Sequence, residues 1–249
     1  MSTILKSVKW GKPALSLLSQ MKIIDTSRPT MMLIRHSENH KGQNKLLTEK
    51  GKQAAYEFGV QLTRFKKVRI YHTYLDPTME TAKEIHKALT ENGVKSEITG
   101  SLNLRTVNDP KKTEENMSKV LSSYGVEGKL TPEKEKQLWS RPDNPAKRNF
   151  LKWVSGHYSP IYIRPSLDFV QQLTASLMMN LESGEHESMV LNICHDDWVA
   201  ALLLHWCGII PEVWVEFLEG FVIQPFGEKL RTVLPSGPID VEYPYWWRF

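Results

Sequence analysis

Two short apolar runs, each followed by a histidine, most constrain how this chain folds. Residues 31–34 are followed by Arg35 and His36, and residues 189–194 are followed by His195. Such runs are typical of strands buried on both faces of a parallel sheet. Because α/β proteins bind ligands beyond the carboxyl ends of their strands, the pattern predicts that both imidazoles project into one crevice, with Arg35 between them.

Helical patterns alternate with the predicted strands. Thr48 caps an amphipathic segment that continues to about residue 65, and a strand over 68–73 leads to Asp76 and Pro77, which suit the start of a second helix. The segment 198–207 is apolar on nearly every side, as expected of a helix packed in a core. This alternation predicts an α/β fold, a three-layer α/β/α sandwich with a mostly parallel central sheet.

The composition changes along the 249 residues. Residues 1–30 have weak periodicity and are interpreted as an N-terminal extension of a domain that spans 31–249. Within that domain, about 101–165 is polar and rich in proline, which predicts an inserted cap. The core elements therefore come from the segments on either side of it.

Charge is also unevenly distributed. The formal net charge is +4, yet residues 165–228 contain no Lys or Arg. The basic remainder can attract phosphate-bearing partners in general, but lysines on a solvated helix face are the favoured interpretation. The acidic stretch holds ten carboxylates: Asp168, Glu182, Glu185, Glu187, Asp196, Asp197, Glu212, Glu216, Glu219 and Glu228.

Several classes of protein are excluded by what the sequence lacks. No apolar run approaches the roughly 18 residues of a membrane span, and no secretory signal pattern is present. Cys194 and Cys207 lie in apolar surroundings, which favours free thiols in a cytoplasmic protein. We found no metal-ligand pattern and no nucleotide fingerprint, so we expect no metal, no cofactor and no nucleic-acid or membrane partner.

The two histidines suggest phosphoryl chemistry. An imidazole can act as a nucleophile toward phosphorus, and a guanidinium with a second imidazole can hold the phosphoryl oxygens. Each residue alone is a weak signal, because a single histidine at a strand end is more often structural.

Together with the neighbouring motifs, the chain resembles the histidine phosphatase superfamily, which includes cofactor-dependent phosphoglycerate mutases and many small phosphatases. The likeness covers about 31–93 and 188–224. It rests on four segments in order: Arg35-His36-Ser37-Glu38, which is similar to Arg-His-Gly-Glu; Leu47-Thr48-Glu49-Lys50-Gly51; Tyr71-His72-Thr73 with Glu80-Thr81-Ala82; and Cys194-His195-Asp196.

The resemblance implies a phosphoglycerate mutase-like fold and a catalytic mechanism. His36 would accept the phosphoryl group, and Arg35 and His195 would line the phosphate pocket. Water would then hydrolyse the phosphohistidine without a metal, while a carboxylic acid protonates the leaving group. The expected function is a phosphatase-like hydrolase of a small phosphorylated metabolite.

One departure from the family concerns the phosphate pocket. The family has a second arginine four residues before the Thr-Ala pair, where this chain has Pro77. Proline carries neither a cation nor a backbone donor. Arg69 and Arg105 are the candidate substitutes, and Arg105 is favoured because it follows a predicted strand end at 101–104.

The second departure concerns the proton donor. Many small members supply a glutamate after the third strand, where this chain has none before Asp109. Asp109 is one candidate. Asp196 is the other, because the acid-phosphatase branch uses a His-Asp pair. Both Asp196 and Asp197 could instead cap the following helix, and capping is the favoured role for Asp197.

Two alternatives to the hydrolase follow from these departures. The first is a catalytically degenerate member of the superfamily that binds phosphate or a protein. The second, less favoured because few cations lie in the recognisable motifs, is a phosphomutase. A homodimer is an open alternative to a monomer, and the substrate is not identified.

Overall fold

The computed structural model describes residues 4–40, 46–109, 145–182 and 187–247, with five single positions between 121 and 135. Two short 3₁₀ turns, Met21–Ile23 and Tyr245–Trp247, accompany the main elements. In chain order these elements are α1 Ile4–Ser7, α2 Gly11–Gln20, β1 Thr30–Arg35, α3 Glu49–Val60, β2 Lys67–Thr73, α4 Asp76–Glu91, β3 Lys95–Leu102, α5 Pro145–Val154, α6 Ser166–Glu182, β4 Ser188–Cys194, α7 Asp196–Cys207, β5 Gly220–Phe226, β6 Lys229–Leu234 and β7 Gly237–Glu242.

The seven strands form one sheet in the order β3-β2-β4-β1-β5-β6-β7. Strands β3, β2, β4 and β1 are mutually parallel, as predicted. Strands β5, β6 and β7 continue the sheet in antiparallel fashion. The expectation of a mostly parallel sheet therefore holds only in part, since three of the six strand pairings are parallel. The physical reason is that β5, β6 and β7 are joined by tight turns, and such turns connect antiparallel neighbours.

Alternate residues of β1 serve two separate cores. Met31 and Leu33 join the cluster that packs under α5, α6 and α7. Met32 and Ile34 join the cluster under α2, α3 and α4. Successive side chains of a strand point to opposite faces, so a run that is apolar at every position must be covered on both sides. The result is the predicted three-layer α/β/α sandwich.

Helix starts follow the predicted capping residues, with one difference. The Thr48 hydroxyl accepts from the Gly51 N–H at 2.9 Å and begins α3. Helix α4 begins at Asp76 with Pro77 next, so Asp76 is the first helical residue rather than the cap. None of the described helices is both long and apolar enough to cross a membrane.

The N-terminal segment is hydrogen-bonded to α3 and to the loop after β1. The Glu57 carboxylate accepts from the backbone N–H groups of Ile4 and Leu5, at 2.8 and 3.1 Å. Trp10 donates its indole N–H to Glu38 at 3.2 Å. Much of the predicted cap at 101–165, including Pro110, Pro132 and Pro142, lies outside the described residues, so that division of the chain stays a prediction.

Gly51 permits a close approach between α3 and the loop after β1. A Cβ at Gly51 would stand 2.0 Å from the Glu38 carbonyl oxygen. That carbonyl also accepts from the Thr48 N–H at 3.0 Å. In addition, the Ser37 hydroxyl donates to the Gly51 carbonyl at 2.7 Å. The glycine of the Leu-Thr-x-x-Gly motif therefore fixes the backbone that follows His36.

We predict that Gly51→Ala lowers the free energy of unfolding by at least about 2 kcal/mol, because the clash is with backbone that cannot rotate away. Urea unfolding measures this. Gly100→Ala is the matched control, since its Cβ would meet only Tyr71 ring atoms at 3.9 Å. We expect the control to change stability by less than about 0.5 kcal/mol. Equal effects of the two substitutions would contradict the steric explanation.

Candidate active site

The register of two central strands brings the histidines together. Strands β1 and β4 are parallel neighbours in which Arg35 pairs with Cys194. The backbone N–H of His36 donates to the Cys194 carbonyl at 2.9 Å. The His36 and His195 rings consequently lie 5.6 Å apart between centroids, at 68° to each other. The structure therefore places both imidazoles in one site at the carboxyl edge of the sheet.

The His36 ring is held in one orientation and one tautomer. Its Nδ1 lies 2.7 Å from the Ser37 carbonyl oxygen. A carbonyl can only accept, so Nδ1 carries the proton and Nε2 keeps its lone pair. Burial, followed by the charge of Arg35 and by His195, lowers the pKa of His36 to about 3. His36 is therefore a neutral imidazole at neutral pH.

The loop that holds His36 is itself anchored. The Ser37 N–H donates to the Thr81 hydroxyl at 3.0 Å, and Thr81 donates in turn to the Pro77 carbonyl at 2.7 Å. Pro77 is buried at the start of α4 and supplies a carbonyl acceptor where the family pattern has a cation. The Thr-Ala motif therefore positions the loop after the nucleophile candidate.

His195 is oriented by a residue that the sequence analysis did not single out. Its Nε2 lies 3.0 Å from the Thr73 hydroxyl, which also contacts the Thr78 hydroxyl at 2.9 Å. Thr73 ends β2, the strand beside β4, so it reaches the same edge of the sheet. Its position at the end of a predicted strand is the signal that would have identified it.

Arg35 is already engaged by protein groups. Its Nη1 donates to the Val215 carbonyl at 2.6 Å, and its Nη2 lies 3.4 Å from Asp196 Oδ2. The guanidinium carbon stands 4.3 Å from the centroid of the Phe217 ring. Only 13 % of the side chain is exposed, so these contacts are shielded from bulk water. Because the His36 and His195 rings contact each other edge to face, Arg35 does not lie between them as predicted, and it is ion-paired with Asp196 instead.

Asp196 is a carboxylate in this arrangement. Its Oδ2 also accepts from the Trp214 indole N–H at 2.8 Å. Burial raises the pKa of Asp196, but Arg35, the Trp214 hydrogen bond and the two histidines outweigh burial and hold the pKa below its ordinary value. Asp196 must bind a proton before it can donate one, and this requires that its carboxylate lose part of the stabilisation by these groups.

The adjacent Asp197 differs from Asp196 in environment. Its Oδ1 accepts from the Trp198 N–H at 3.0 Å, but the cap position of α7 is His195, so Asp197 is a residue of the first helical turn and the predicted capping role is wrong. Burial, with the neighbouring Asp196 charge, raises the pKa of Asp197 to about 7. Two adjacent carboxyl groups are thus driven toward opposite protonation states.

The candidate substitutes for the missing arginine lie in different places. Arg69 is buried in the first half of β2 and donates to the Asn180 carbonyl near the end of α6, away from the carboxyl ends of the strands. Arg105 is exposed, with its guanidinium carbon 5.0 Å from the Tyr74 ring centroid. Because Tyr74 follows Thr73, Arg105 lies near the edge of the site. The structure does not show it at the histidine pair.

The alternative acid, Asp109, lies in the segment that pairs with residues 162–163. Its N–H faces the Tyr162 carbonyl at 3.4 Å, beside the bridge between Val107 and Ile163. Asp196, by contrast, contacts Arg35 directly. Of the two acid candidates, the structure brings Asp196 to the histidine pair.

The segment after α7 supplies site residues that sequence reasoning missed. Trp214 lies eight residues beyond Trp206, a spacing close to two helical turns. Helix α7 in fact ends before Gly208, so the periodicity does not extend to Trp214. Trp214 packs on Phe150 with ring centroids 5.4 Å apart and turns its N–H toward Asp196. Residues 214–217 therefore form a strap over the Arg35–Asp196 pair.

Comparisons with known proteins identify the fold. No family model matches the chain, and no curated protein matches it. Among solved structures, a phosphoglycerate mutase from Bacillus anthracis str. Sterne is 17 % identical with a TM-score of 0.50, covering 89 % of this chain and 96 % of that one. A mycobacterial glucosyl-3-phosphoglycerate phosphatase in complex with VO3 is 16 % identical with a TM-score of 0.50, covering 84 % and 97 %. The chain therefore has the phosphoglycerate mutase-like fold that the motifs predicted.

The low pKa of His36 predicts an acid-sensitive fold. Below its ordinary value of 6.5, an unfolded chain binds a proton at this residue that the folded chain excludes down to about pH 3. Stability attributable to His36 therefore falls as the pH decreases through this window, by up to about 1.4 kcal/mol per pH unit. Urea unfolding at pH 7 and pH 5 should show a smaller loss for His36→Gln than for the wild type. Identical losses would show that His36 titrates normally.

Proposed function

We propose that this chain is a phosphoryl-transfer hydrolase that removes phosphate from a small phosphorylated metabolite through a phosphohistidine at His36, without a metal. The observation that carries the proposal is the state of the His36 ring. Its Nδ1–H is committed to the Ser37 carbonyl, its imidazole is neutral, and its Nε2 lone pair is unprotonated beside a second histidine. A nucleophilic imidazole needs this combination.

The proposed reaction has two displacements at phosphorus. The His36 Nε2 lone pair forms a bond to phosphorus, while the bond to the ester oxygen breaks and its electron pair leaves with the alcohol. A water oxygen then displaces His36 and yields inorganic phosphate. Arg35 and His195 hold the phosphoryl oxygens in both steps, since their donors stabilise charge that develops in the transition state.

Asp196 is the proposed source of the proton for the leaving alcohol. Its Oδ2 lies 3.4 Å from Arg35 Nη2, and its charge also interacts with both histidines. An acid at this position can protonate the ester oxygen and later activate the water. Arg105 is the proposed second cation. Its exposed guanidinium beside Tyr74 is suited to a part of the substrate that lies outside the histidine pair.

The solved structures that share this fold support phosphoryl chemistry over other reactions, because they include proteins named as a mutase and a phosphatase. The fold alone does not choose between the two activities. We favour hydrolysis, because a mutase must retain a bisphosphorylated intermediate and few cations lie around the described part of the site.

A second candidate function is a non-catalytic phosphate- or protein-binding member. The observation that favours it is the engagement of Arg35 by Asp196 and Val215, together with Pro77 at the position of the second arginine. Turnover of a phosphate ester at an ordinary rate, with no partner added, would exclude this candidate.

We predict that His36→Asn lowers hydrolysis of p-nitrophenyl phosphate by at least about a thousandfold, because removal of a nucleophile abolishes the covalent path. An alkaline quench with radiolabelled substrate should trap phosphohistidine in the wild type only. His86→Asn is the matched control, since His86 contacts Ser96 on the outer part of the sheet. Activity that survives in the His36 variant would contradict the mechanism.

The proton donor can be identified from the leaving group. We predict that Asp196→Asn slows hydrolysis of an alkyl phosphate by about 10²–10⁴-fold, because an alkoxide leaves poorly without a proton. The loss with p-nitrophenyl phosphate should be much smaller, since nitrophenolate needs little assistance. Asp109→Asn is the comparison variant. If it, rather than Asp196→Asn, shows the leaving-group dependence, Asp109 is the donor.

A further inference from the structure

The Asp196 carboxylate is held by three groups from different elements. Its Oδ1 accepts from the Asp197 N–H at 3.0 Å within α7. Its Oδ2 accepts from Trp214 Nε1 at 2.8 Å and lies 3.4 Å from Arg35 Nη2 on β1. A carboxylate therefore already sits against the guanidinium that the proposed mechanism assigns to phosphate.

Carboxylate and phosphate compete for the same donors of a guanidinium. A carboxylate is planar and a phosphate is tetrahedral, but each presents a pair of anionic oxygens that accept charge-assisted hydrogen bonds from the arginine fork. The backbone carbonyl of Val215 takes Nη1 at 2.6 Å, and the face of the guanidinium lies on Phe217. Among the described residues, Arg35 Nε has no hydrogen-bond partner, so the competition concerns Nη2: a phosphate that binds there must displace the Asp196 carboxylate.

We propose that Asp196 is an internal anion that substrate phosphate displaces from Arg35. Trp214 is the positioning residue that determines how strongly Asp196 competes with phosphate for Arg35. The proposal rests on the proposed function only in taking Arg35 as the phosphate-binding arginine. It adds a determinant of substrate affinity that belongs to the strap 214–217.

The strap is built to hold both members of the pair. Trp214 binds the anion, Val215 binds the cation, and Phe217 packs on the cation. Phe150 of α5 supports the Trp214 ring from the other side at 5.4 Å between centroids. The strap thus contacts both members of the Arg35–Asp196 pair, and a change in that segment alters the competition with phosphate.

The test is the affinity for inorganic phosphate, measured at pH 7 by isothermal titration calorimetry. Asp196→Asn keeps the side-chain shape and removes the competing charge, so we expect about tenfold tighter binding. Trp214→Phe keeps the ring on Phe150 and removes the N–H, so we expect tightening in the same direction. Trp206→Phe is the matched control, because it removes an indole hydrogen bond to a neutral group, Thr174. We expect the control to bind within about twofold of the wild type.

Two further readouts separate positioning from structural damage. Trp214→Phe added to Asp196→Asn should give no further tightening, because Trp214 acts through the carboxylate. For p-nitrophenyl phosphate, Trp214→Phe alone should lower KM, whereas a damaged site would raise it. Circular dichroism melting identifies a variant that fails to fold, and Asp196→Asn still tests the proposal in that case.

Unchanged or weaker phosphate binding by Asp196→Asn overturns the inference, and so does equal tightening by Trp206→Phe. The outcome is independent of turnover. If the wild type forms no phosphohistidine but the Asp196 and Trp214 variants still bind phosphate more tightly, the proposed function fails and this inference stands. If turnover proceeds through His36 while the affinities do not change, the inference fails alone.

Discussion

The parallel pairing of β1 with β4 is the constraint on which the site depends. Because Arg35 lies opposite Cys194, the residues that follow each strand emerge side by side, and the His36 N–H donates to the Cys194 carbonyl at the end of β4. A one-residue slip would move every side chain of β1 to the other face of the sheet. The two apolar cores oppose such a slip, since Met31 and Leu33 fill one core and Met32 and Ile34 the other.

Burial at this edge determines the chemistry of the ionisable groups. It keeps His36 neutral, and it raises the pKa of Asp197 to about 7. Asp196 escapes the same effect because Arg35 and Trp214 stabilise its charge. The site thus combines a neutral imidazole with an ion pair. The imidazole can act as a nucleophile without first losing a proton, whereas the ion pair must separate before Arg35 binds another anion in place of Asp196.

The parts of this fold that local physics determines were predictable from the sequence. Short apolar runs that end in Arg35-His36 and in His195 identified β1 and β4, and Thr48 and Pro77 marked helix starts through their capping chemistry.

Strands β5–β7 were not predicted. Pro225 and Pro238 interrupt them, and β7 alternates between partly buried and exposed residues at the edge of the sheet, so it carries a weak apolar signal. The strap was missed for a different reason. Trp214 contacts Asp196 because of the course that the chain takes after α7, and a local sequence pattern does not determine that course. The cation that replaces the arginine absent at Pro77 was also not predictable from the sequence. The favoured substitute, Arg105, has its guanidinium over the Tyr74 ring.

A crystal structure with bound orthovanadate tests the central claim most directly, because vanadate adopts the geometry of phosphorus during transfer. The account predicts vanadium bonded to His36 Nε2, with His195 and Arg35 contacting its oxygens and with Asp196 moved away from Arg35. Vanadate bonded to another residue, or absent from the site at saturating concentration while the Arg35–Asp196 pair stays closed, would contradict it.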